Sequence, residues 1–558
     1  MVFIVAMKTR STTPKVILAI MGVILLVFIS YCLIASNSSY LKTGGVKKNP
    51  EGVVFIPKKS PLMVSLLINP DKLSSLAQLL PNNGEQKRVV RAMEQLRSNL
   101  LTSARVDSPE DIKSWLGDEI TLAVTSLDYD YSPENGIQPG YLLAVKNKSP
   151  ELAKEFLQTY YSREIVSNEV ELILEDYQGV NIVYQHPLTD DSPVKQVAAA
   201  VVADFVLFAN DLPVLKDAIN NAQAVDLNLA HDLDYQSAIA SLPQKKVSIV
   251  YGNLPLTSAW ITNQSTIANP DIYQSLTLSL ALNPQGLITH TALSGVNTEK
   301  NQAPSLTSPP QTLNYIPEDS ILTIAGINLT KLGENISNGI TNHNPLAEII
   351  YQGIHPLELK TELDFNEEIF SSVSGEYALS LSKNTINNSL EWLFINQKQE
   401  NSLAKTLDNI AQNRGLSVGQ LPLENTTMTA WTKLVTTSEN NFSRLQAEVK
   451  GVHSETSNEE IITNSVNLLS KVFSTPFESL LQSSDFQESI KALPQANNGY
   501  LFIRWQDLAP YLRNRFPIIK IAELAFKPLF DNLESVTITT EGTQDGISYS
   551  TSFFHLKG

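Results

Sequence analysis

Side chains able to do chemistry are thinly spread along this chain. Histidine is the usual acid, base and metal ligand near neutral pH, and the seven here are His186, His231, His290, His343, His355, His453 and His555. None stands in an HExxH spacing. His355 and Glu358 in HPLELKTE could share a helical face, but a zinc site needs three or four ligands, so surface or turn positions fit these histidines better. The segment DYDYSPENG, Asp128 to Gly136, imitates the start of a calcium loop, with Asp128, Asp130 and Ser132 two residues apart. Pro133 replaces the loop's glycine and Pro139 its bidentate glutamate. An exposed acidic connection between strands is therefore the better reading, and calcium the minor one. SLAK, Ser402 to Lys405, fits the SxxK pattern of acyl-transfer serines, but no GxSxG elbow accompanies it. Leu-Ala-Lys also recurs at Leu152 to Lys154, after Glu151, which points to a helix with a core face and a solvated lysine, the serine being incidental. Asp118 beside Glu119 could form an acid and base pair, but nothing in the sequence would shift either pKa, and a solvated turn is expected. No catalytic residue, cofactor or firm metal set is assigned.

The elements that would position any site are announced by repetition. IPKKSPL followed by INPDKL, Ile56 to Leu73, returns as IPEDSIL followed by INLTKL, Ile316 to Leu332, and DYQSAIASLPQ, Asp234 to Gln244, is answered by DFQESIKALPQ, Asp485 to Gln495. Self-similarity of this kind decides architecture before any single motif does. Two tandem copies of one α+β domain, residues 55–296 and 315–558, are expected, joined by a Pro, Ser and Asn-rich linker at 297–314 and preceded by a tether at 36–54. Strand patterns lie at Leu62 to Ile68, Ile120 to Thr125, Tyr141 to Val145, Val197 to Phe208 and Val247 to Tyr251. A helix is expected at Pro150 to Tyr161, with Leu152, Phe156, Leu157 and Tyr160 on one face.

Both copies close with a hairpin, from Leu276 and from Val536, whose turns carry Gly286 and Gly546, where positive φ is easiest for glycine. Long antiparallel hairpins favour α+β domains with largely antiparallel sheets over a doubly wound fold. The matched polar residues read as helix caps. These are Asn69 with Asn328 and Asp234 with Asp485; Glu488 would complete a capping box, and Gln236 and Gln487 would sit in first turns. Each copy holds its own first strand, helices and hairpin, so each should fold alone. Cutting at the linker prolines Pro304, Pro309 and Pro310 should then uncover no apolar surface.

A formal net charge of -16 disfavours nucleic acid, and one cysteine allows no internal disulfide. Val16 to Ala35 is an uncharged apolar run of membrane-spanning length, preceded by residues 1–15 carrying Lys8, Arg10 and Lys15. The positive-inside rule leaves the short N-terminus in the cytoplasm and everything after Ala35 outside it, although Lys42, Lys47 and Lys48 reduce the bias. A cleaved signal peptide is the alternative. Ile34 and Ser36 make a poor cleavage site, and an uncleaved single transmembrane helix or signal anchor is expected. Cys32 follows Tyr31, where lipid attachment wants a small residue.

The N-terminal anchor, FIPKKSPLMVSLLINPDKL from Phe55, WLGDEITLAV from Trp115 and YLLAVKNKSPELAKEF from Tyr141 together resemble a family of bacterial, chiefly cyanobacterial, membrane-anchored proteins that share a domain of unknown function. The resemblance implies a location facing the periplasm or thylakoid lumen, and it carries no residue role. A membrane-anchored, extracytoplasmic, non-catalytic binding or assembly protein is the leading expectation. Its partners would be the lipid bilayer, through the N-terminal helix, and a protein at or near the membrane. A carrier or sensor of a small apolar or lipid ligand is the alternative, and a hydrolase with a loop-built site the third.

Overall fold

The computed structural model describes residues 44–68, 114–165, 170–187, 197–295, 305–330, 369–515 and 527–557, apart from a few short interior stretches. The run Val16 to Ala35 and the expected cap Asn69 lie outside the described residues. No described helix is long and apolar enough to cross a membrane, which says nothing of a β-barrel.

Antiparallel strands dominate. The first ten are β1 (Leu62–Leu66), β2 (Leu116–Ser126), β3 (Gly140–Asn147), β4 (Val170–Tyr177), β5 (Val180–Pro187), β6 (Ala198–Val202), β7 (Phe205–Ala209), β8 (Ser248–Asn253), β9 (Ser275–Asn283) and β10 (Gly286–Ser294). The second ten are β11 (Leu322–Ile327), β12 (Glu376–Lys383), β13 (Leu390–Gln397), β14 (Ser417–Leu423), β15 (Thr426–Glu439), β16 (Phe442–Glu455), β17 (Glu459–Thr463), β18 (Gly499–Arg504), β19 (Leu533–Gln544) and β20 (Ile547–Leu556). They form one sheet. Across it the order is β4, β5, β6, β7, β3, β2, β1, β8, β9, β10, then β20, β19, β18, β11, β12, β13, β17, β16, β15, β14. The second run of ten follows the order of the first from the other end. Where they meet, Gly286 to Leu293 pairs antiparallel with His555 to Ser548.

That junction opposes the expectation that separating the halves uncovers no apolar surface. Ile547 of β20 belongs to the same buried cluster as Ala292, Leu207 and Tyr251 of the first ten strands, and Tyr549 packs against it. Separating the halves would uncover both a ladder edge and apolar side chains. The tether and linker are also more structured than their composition suggests. Val46 and Lys246 exchange backbone hydrogen bonds of 2.9 and 3.1 Å, and Leu306 and Asn497 exchange bonds of 2.8 and 3.0 Å. Leu306 and Leu313 are buried despite lying in the Pro-rich stretch.

Helices α1 (Pro150–Ile165), α2 (Leu212–Gln223), α3 (Leu233–Ser241) and α4 (Leu254–Ile261) accompany the first strands. With the second come α5 (Leu403–Asn413), α6 (Val466–Phe473), α7 (Ser484–Lys491), α8 (Trp505–Arg515) and α9 (Lys527–Asn532). The helix expected from Pro150 forms, but its buried face is Ala153, Leu157 and Tyr161, while Leu152 is exposed. The expected strand Val197 to Phe208 is two strands, folded at Ala203, which takes φ 50°. Its continuous apolar content hid the turn, because a buried hairpin and a buried strand have the same composition.

The helix caps sit two residues before their expected places. Asp232 caps α3 by accepting from the Tyr235 N–H at 2.9 Å, and Ser483 caps α7 by accepting from the Phe486 N–H at 3.3 Å. Asp234 and Asp485 lie in first turns, and Asp485 instead binds Arg504 at 2.8 Å. Glu488 forms no capping box and faces His555 at 3.2 Å. The paired glutamines do act alike: Gln236 donates to the Ala230 carbonyl and Gln487 to that of Leu481. Gly546 takes positive φ, as its turn requires, after Asp545. Gly286 does not. It is needed because a Cβ there would meet the Phe554 carbonyl oxygen at 2.0 Å, across the junction of the two runs.

Candidate functional site

The residues singled out for chemistry prove to be scattered and mostly engaged in holding the chain. Asp128 accepts from the Gln138 N–H and Asp130 from the Ser132 N–H, each at 3.0 Å, so the calcium-like segment uses its carboxylates to close a turn. No group of metal-ligating residues forms among the described residues. Ser402 is not incidental, since it caps α5 by accepting from the Lys405 N–H at 3.2 Å. Its hydroxyl also donates to Glu460, which is buried and accepts from the Leu403 N–H at 3.1 Å and from Asn396 at 2.9 Å. Lys405 contributes its backbone, not its amine, to that hydroxyl.

Asp118 and Glu119 part company. Asp118 binds Lys48 near the surface, whereas Glu119 is fully buried and accepts from the backbone N–H groups of Gly52 at 2.7 Å and Glu51 at 3.0 Å. Burial raises the Glu119 pKa above its usual value, against the pull of those two N–H groups and Lys48. Glu376 accepts in the same manner from the Gln311 N–H at 2.5 Å, at the start of the one-turn helix Gln311–Tyr315. Each carboxylate therefore ties down the backbone that leads into its half.

Three histidines sit in polar clusters. His453 Nε2 lies 3.0 Å from Asp408 Oδ1, which also accepts from the Trp431 indole at 2.7 Å. The other ring nitrogen of His453 is buried without a hydrogen-bond partner, so this acid and histidine pair has no nucleophile to activate among the described residues. His555 stands between Glu488 at 3.2 Å and Glu534 at 3.5 Å. His290 Nδ1 is 3.1 Å from the Thr551 hydroxyl, which donates to Glu541. Desolvation lowers the His290 pKa and raises that of Glu541. His186, His343 and His355 have no described side-chain setting.

The sheet itself offers a broader site. Directly opposite residues of an antiparallel pair point to the same face, so the registers sort the side chains into two sides. One side carries Met63, Ala123, Ile249, Tyr251, Ala325, Phe502 and Phe553, all sealed, beneath α2, α3, α6 and α7. The other side carries two matching rows. Leu278, Val250, Val64 and Leu122 run across β9, β8, β1 and β2. Ile538, Leu501, Ile324 and Leu379 run across β19, β18, β11 and β12. Apart from Val64, every one of these is only half-buried.

Between the rows, at the β10 and β20 junction, Thr289 pairs with Ser552 and Thr291 with Ser550. Thr291, Ser550 and Ser552 are half-buried, and Thr289 is 7% exposed. The outer ends of the same side are covered. Around α1, Phe156, Leu157 and Tyr161 pack with Ile120 and Leu143. Around α5, Leu403 and Leu407 pack with Ile324 and Leu379. Around α4, Ala259 and Trp260 pack with Leu62 and Val124. Between these clusters the same side carries Leu278, Val250, Ile538 and Leu501, all half-buried, around the junction hydroxyls. This alternation was present in LTLSLALNPQGLITHTAL, but which face would remain accessible depended on how the two runs of ten strands meet.

The model of a family described as "Protein of unknown function (DUF3352)" matches residues 16–556. No curated protein matches the chain. Crystal form IV of TP0453 is similar to part of it, at 12% identity over 46% of this chain and 83% of that one, with a TM-score of 0.22. That likeness carries no argument about fold or function.

Proposed function

We propose that this chain, which belongs to the DUF3352 family, is a non-catalytic binding protein, tethered to a membrane outside the cytoplasm, that binds with the half-buried face of its sheet. The observation that carries the reading is the floor formed by the Leu278 and Ile538 rows around the junction hydroxyls. A contiguous apolar surface that the described helices leave half-buried is a candidate docking surface. The tether rests on the apolar run Val16 to Ala35 with Lys8, Arg10 and Lys15 before it. The halves are two copies of one α+β domain in this reading, supported by the repeated segments and by the strand order common to both. Each copy supplies one row, and the junction holds the rows in fixed register. Catalysis is the weaker reading because the buried polar clusters are occupied with backbone N–H groups and with one another.

The test is crosslinking in native membranes. A benzophenone side chain placed at Leu278 or Ile538 should capture a discrete partner, protein or lipid. The same group at Leu174, an exposed position on β4, should capture none. Equal, diffuse capture from all three positions would remove the binding face from the account.

A further inference from the structure

Strands β15 and β16 outrun their neighbours. Among the described residues β14 pairs with β15 only as far as Thr432, and β17 pairs with β16 only from Val452. Yet β15 and β16 stay paired from Lys433 opposite Glu448 to Glu439 opposite Phe442. A two-stranded ribbon about 24 Å long therefore projects from the sheet. In the strand order common to both halves, β5 and β6 hold the places of β15 and β16, and they pair only over Ile182 to Tyr184 and Ala198 to Ala200. The first half completes its part of the sheet without such a ribbon, and a lone two-stranded hairpin is marginal in water. Its length points to a contact outside the sheet.

The ribbon's two faces differ. Directly opposite residues share a face, which puts Thr432, Val449, Leu434, Ala447, Thr436 and Leu445 on one side and Lys433, Glu448, Val435 and Gln446 on the other. The first side carries no charge. It continues the face of Ala430 and Val452, which are buried in the core of the second half, but along the ribbon it stands in solvent. Leu445 is 73% exposed, Leu434 67% and Val449 37%. On the other side Glu448 is paired with Lys450 at 2.5 Å.

Size and reach select the occupant. The uncharged patch covers two strands about 5 Å apart over a length of about 14 Å, a small fraction of the roughly 800 Å² per partner that a stable protein interface takes. A lipid surface needs no complementary shape, only nearness. In the reading proposed above it is near. Residues 36–43 separate the apolar run ending at Ala35 from Gly44, whose carbonyl accepts from the Leu282 N–H at 3.1 Å. Fully extended, that stretch reaches about 32 Å, a gap of the same order as the ribbon's projection. With no cation on the apolar side and a net charge of -16, headgroups without net charge suit the patch better than anionic ones.

We propose that the β15–β16 ribbon lays Leu434, Leu445 and Val449 into the bilayer to which the chain is tethered, as a second membrane contact. This rests on the tether in the reading above and is independent of the Leu278 and Ile538 face. The anchor supplies proximity, so a patch too small to bind by itself still holds, and the two contacts together limit how the sheet turns over the membrane.

The substitutions Leu434→Cys, Leu445→Cys, Gln446→Cys and Glu448→Cys, each alone in a full-length Cys32→Ser chain, carry an environment-sensitive fluorophore. The protein is reconstituted in phosphatidylcholine vesicles in which part of the lipid bears a spin label near the top of its acyl chain. Fluorophores at Leu434→Cys and Leu445→Cys should lose their emission to the spin label, as expected for a face buried about 5–10 Å into the boundary of headgroups and acyl chains. Those at Gln446→Cys and Glu448→Cys, on the opposite face, should keep it. Flotation of the vesicles after an alkaline wash reports the tether separately. Equal quenching from both faces, or none at Leu434→Cys and Leu445→Cys in protein that floats, overturns the ribbon contact and leaves the tether standing. Protein that does not float overturns the tether, and the ribbon contact with it. A benzophenone at Leu445 that captures a second copy or another protein in native membranes, with the fluorophores unquenched in vesicles, overturns the lipid as occupant.

Discussion

Ser275 and Thr277 on β9, and Ser535 and Thr537 on β19, each bury a hydroxyl that has no hydrogen-bond partner. A buried unpartnered polar group costs about 1–3 kcal/mol, so replacing it by a methyl of the same shape relieves that cost. Thr277→Val and Thr537→Val are each expected to stabilise the protein by about 1 kcal/mol, read as a rise in the thermal midpoint. A fall would mean that the hydroxyl is serving a buried water. Glu119 gives a prediction in pH. Its folded pKa is raised above 4.5 by burial, so its favourable contribution is complete below that unfolded value and is lost as the pH rises through the folded pKa. Glu119→Gln removes the titration. The variant should therefore lose more stability relative to the native chain near pH 4.5 than near neutrality. A constant difference across that window would show that the two backbone N–H bonds balance desolvation, and a larger loss near neutrality that they outweigh it.

At the scale of elements, the caps decide where helices begin. Asp232→Ala and Ser483→Ala should each cost about 0.5–2 kcal/mol, measured by denaturant unfolding, whereas Asp234→Ala should cost less. A larger loss from Asp234 would return the cap to the residue that heads the repeated segment. The sequence shows why the expectation was displaced. The repeat begins at Asp234 and Asp485, but the residues that cap are unlike in type, Asp232 and Ser483, so repetition did not mark them. The closing hairpins, the helix from Pro150 and the first strand of each half were legible because each is local in sequence. Glu119 was not, since its burial arises from the arrival of Gly52, a segment whose Ser, Asn and Lys content reads as tether. The binding face was half legible: the Leu-x-Leu alternation of β9 stands in the sequence, but the hydroxyl block needs Thr289 and Thr291 to meet Ser552 and Ser550, which are far away along the chain.

For the whole molecule, the junction of β10 with β20 makes one body from two runs of strands. An isolated piece covering residues 44–295 would present β10 as an open edge, and open edges pair with whatever strand is available. Such a piece should dimerise or aggregate, as read by size-exclusion chromatography with light scattering. A stable monomer would mean that the junction is dispensable. The same junction fixes the Leu278 and Ile538 rows on either side of one hydroxyl block, and the proposed function depends on that face being occupied in the membrane. The most direct measurement uses Leu278→Cys and Ile538→Cys, each in a Cys32→Ser chain, which leaves a single thiol because the protein has one cysteine. Maleimide labelling rates are compared for the full-length protein in native membranes and after extraction and delipidation. Occupancy of the face predicts slow labelling in membranes and much faster labelling after extraction at both positions, with Leu174→Cys unchanged. Equal rates at Leu278→Cys and Ile538→Cys before and after extraction would contradict it.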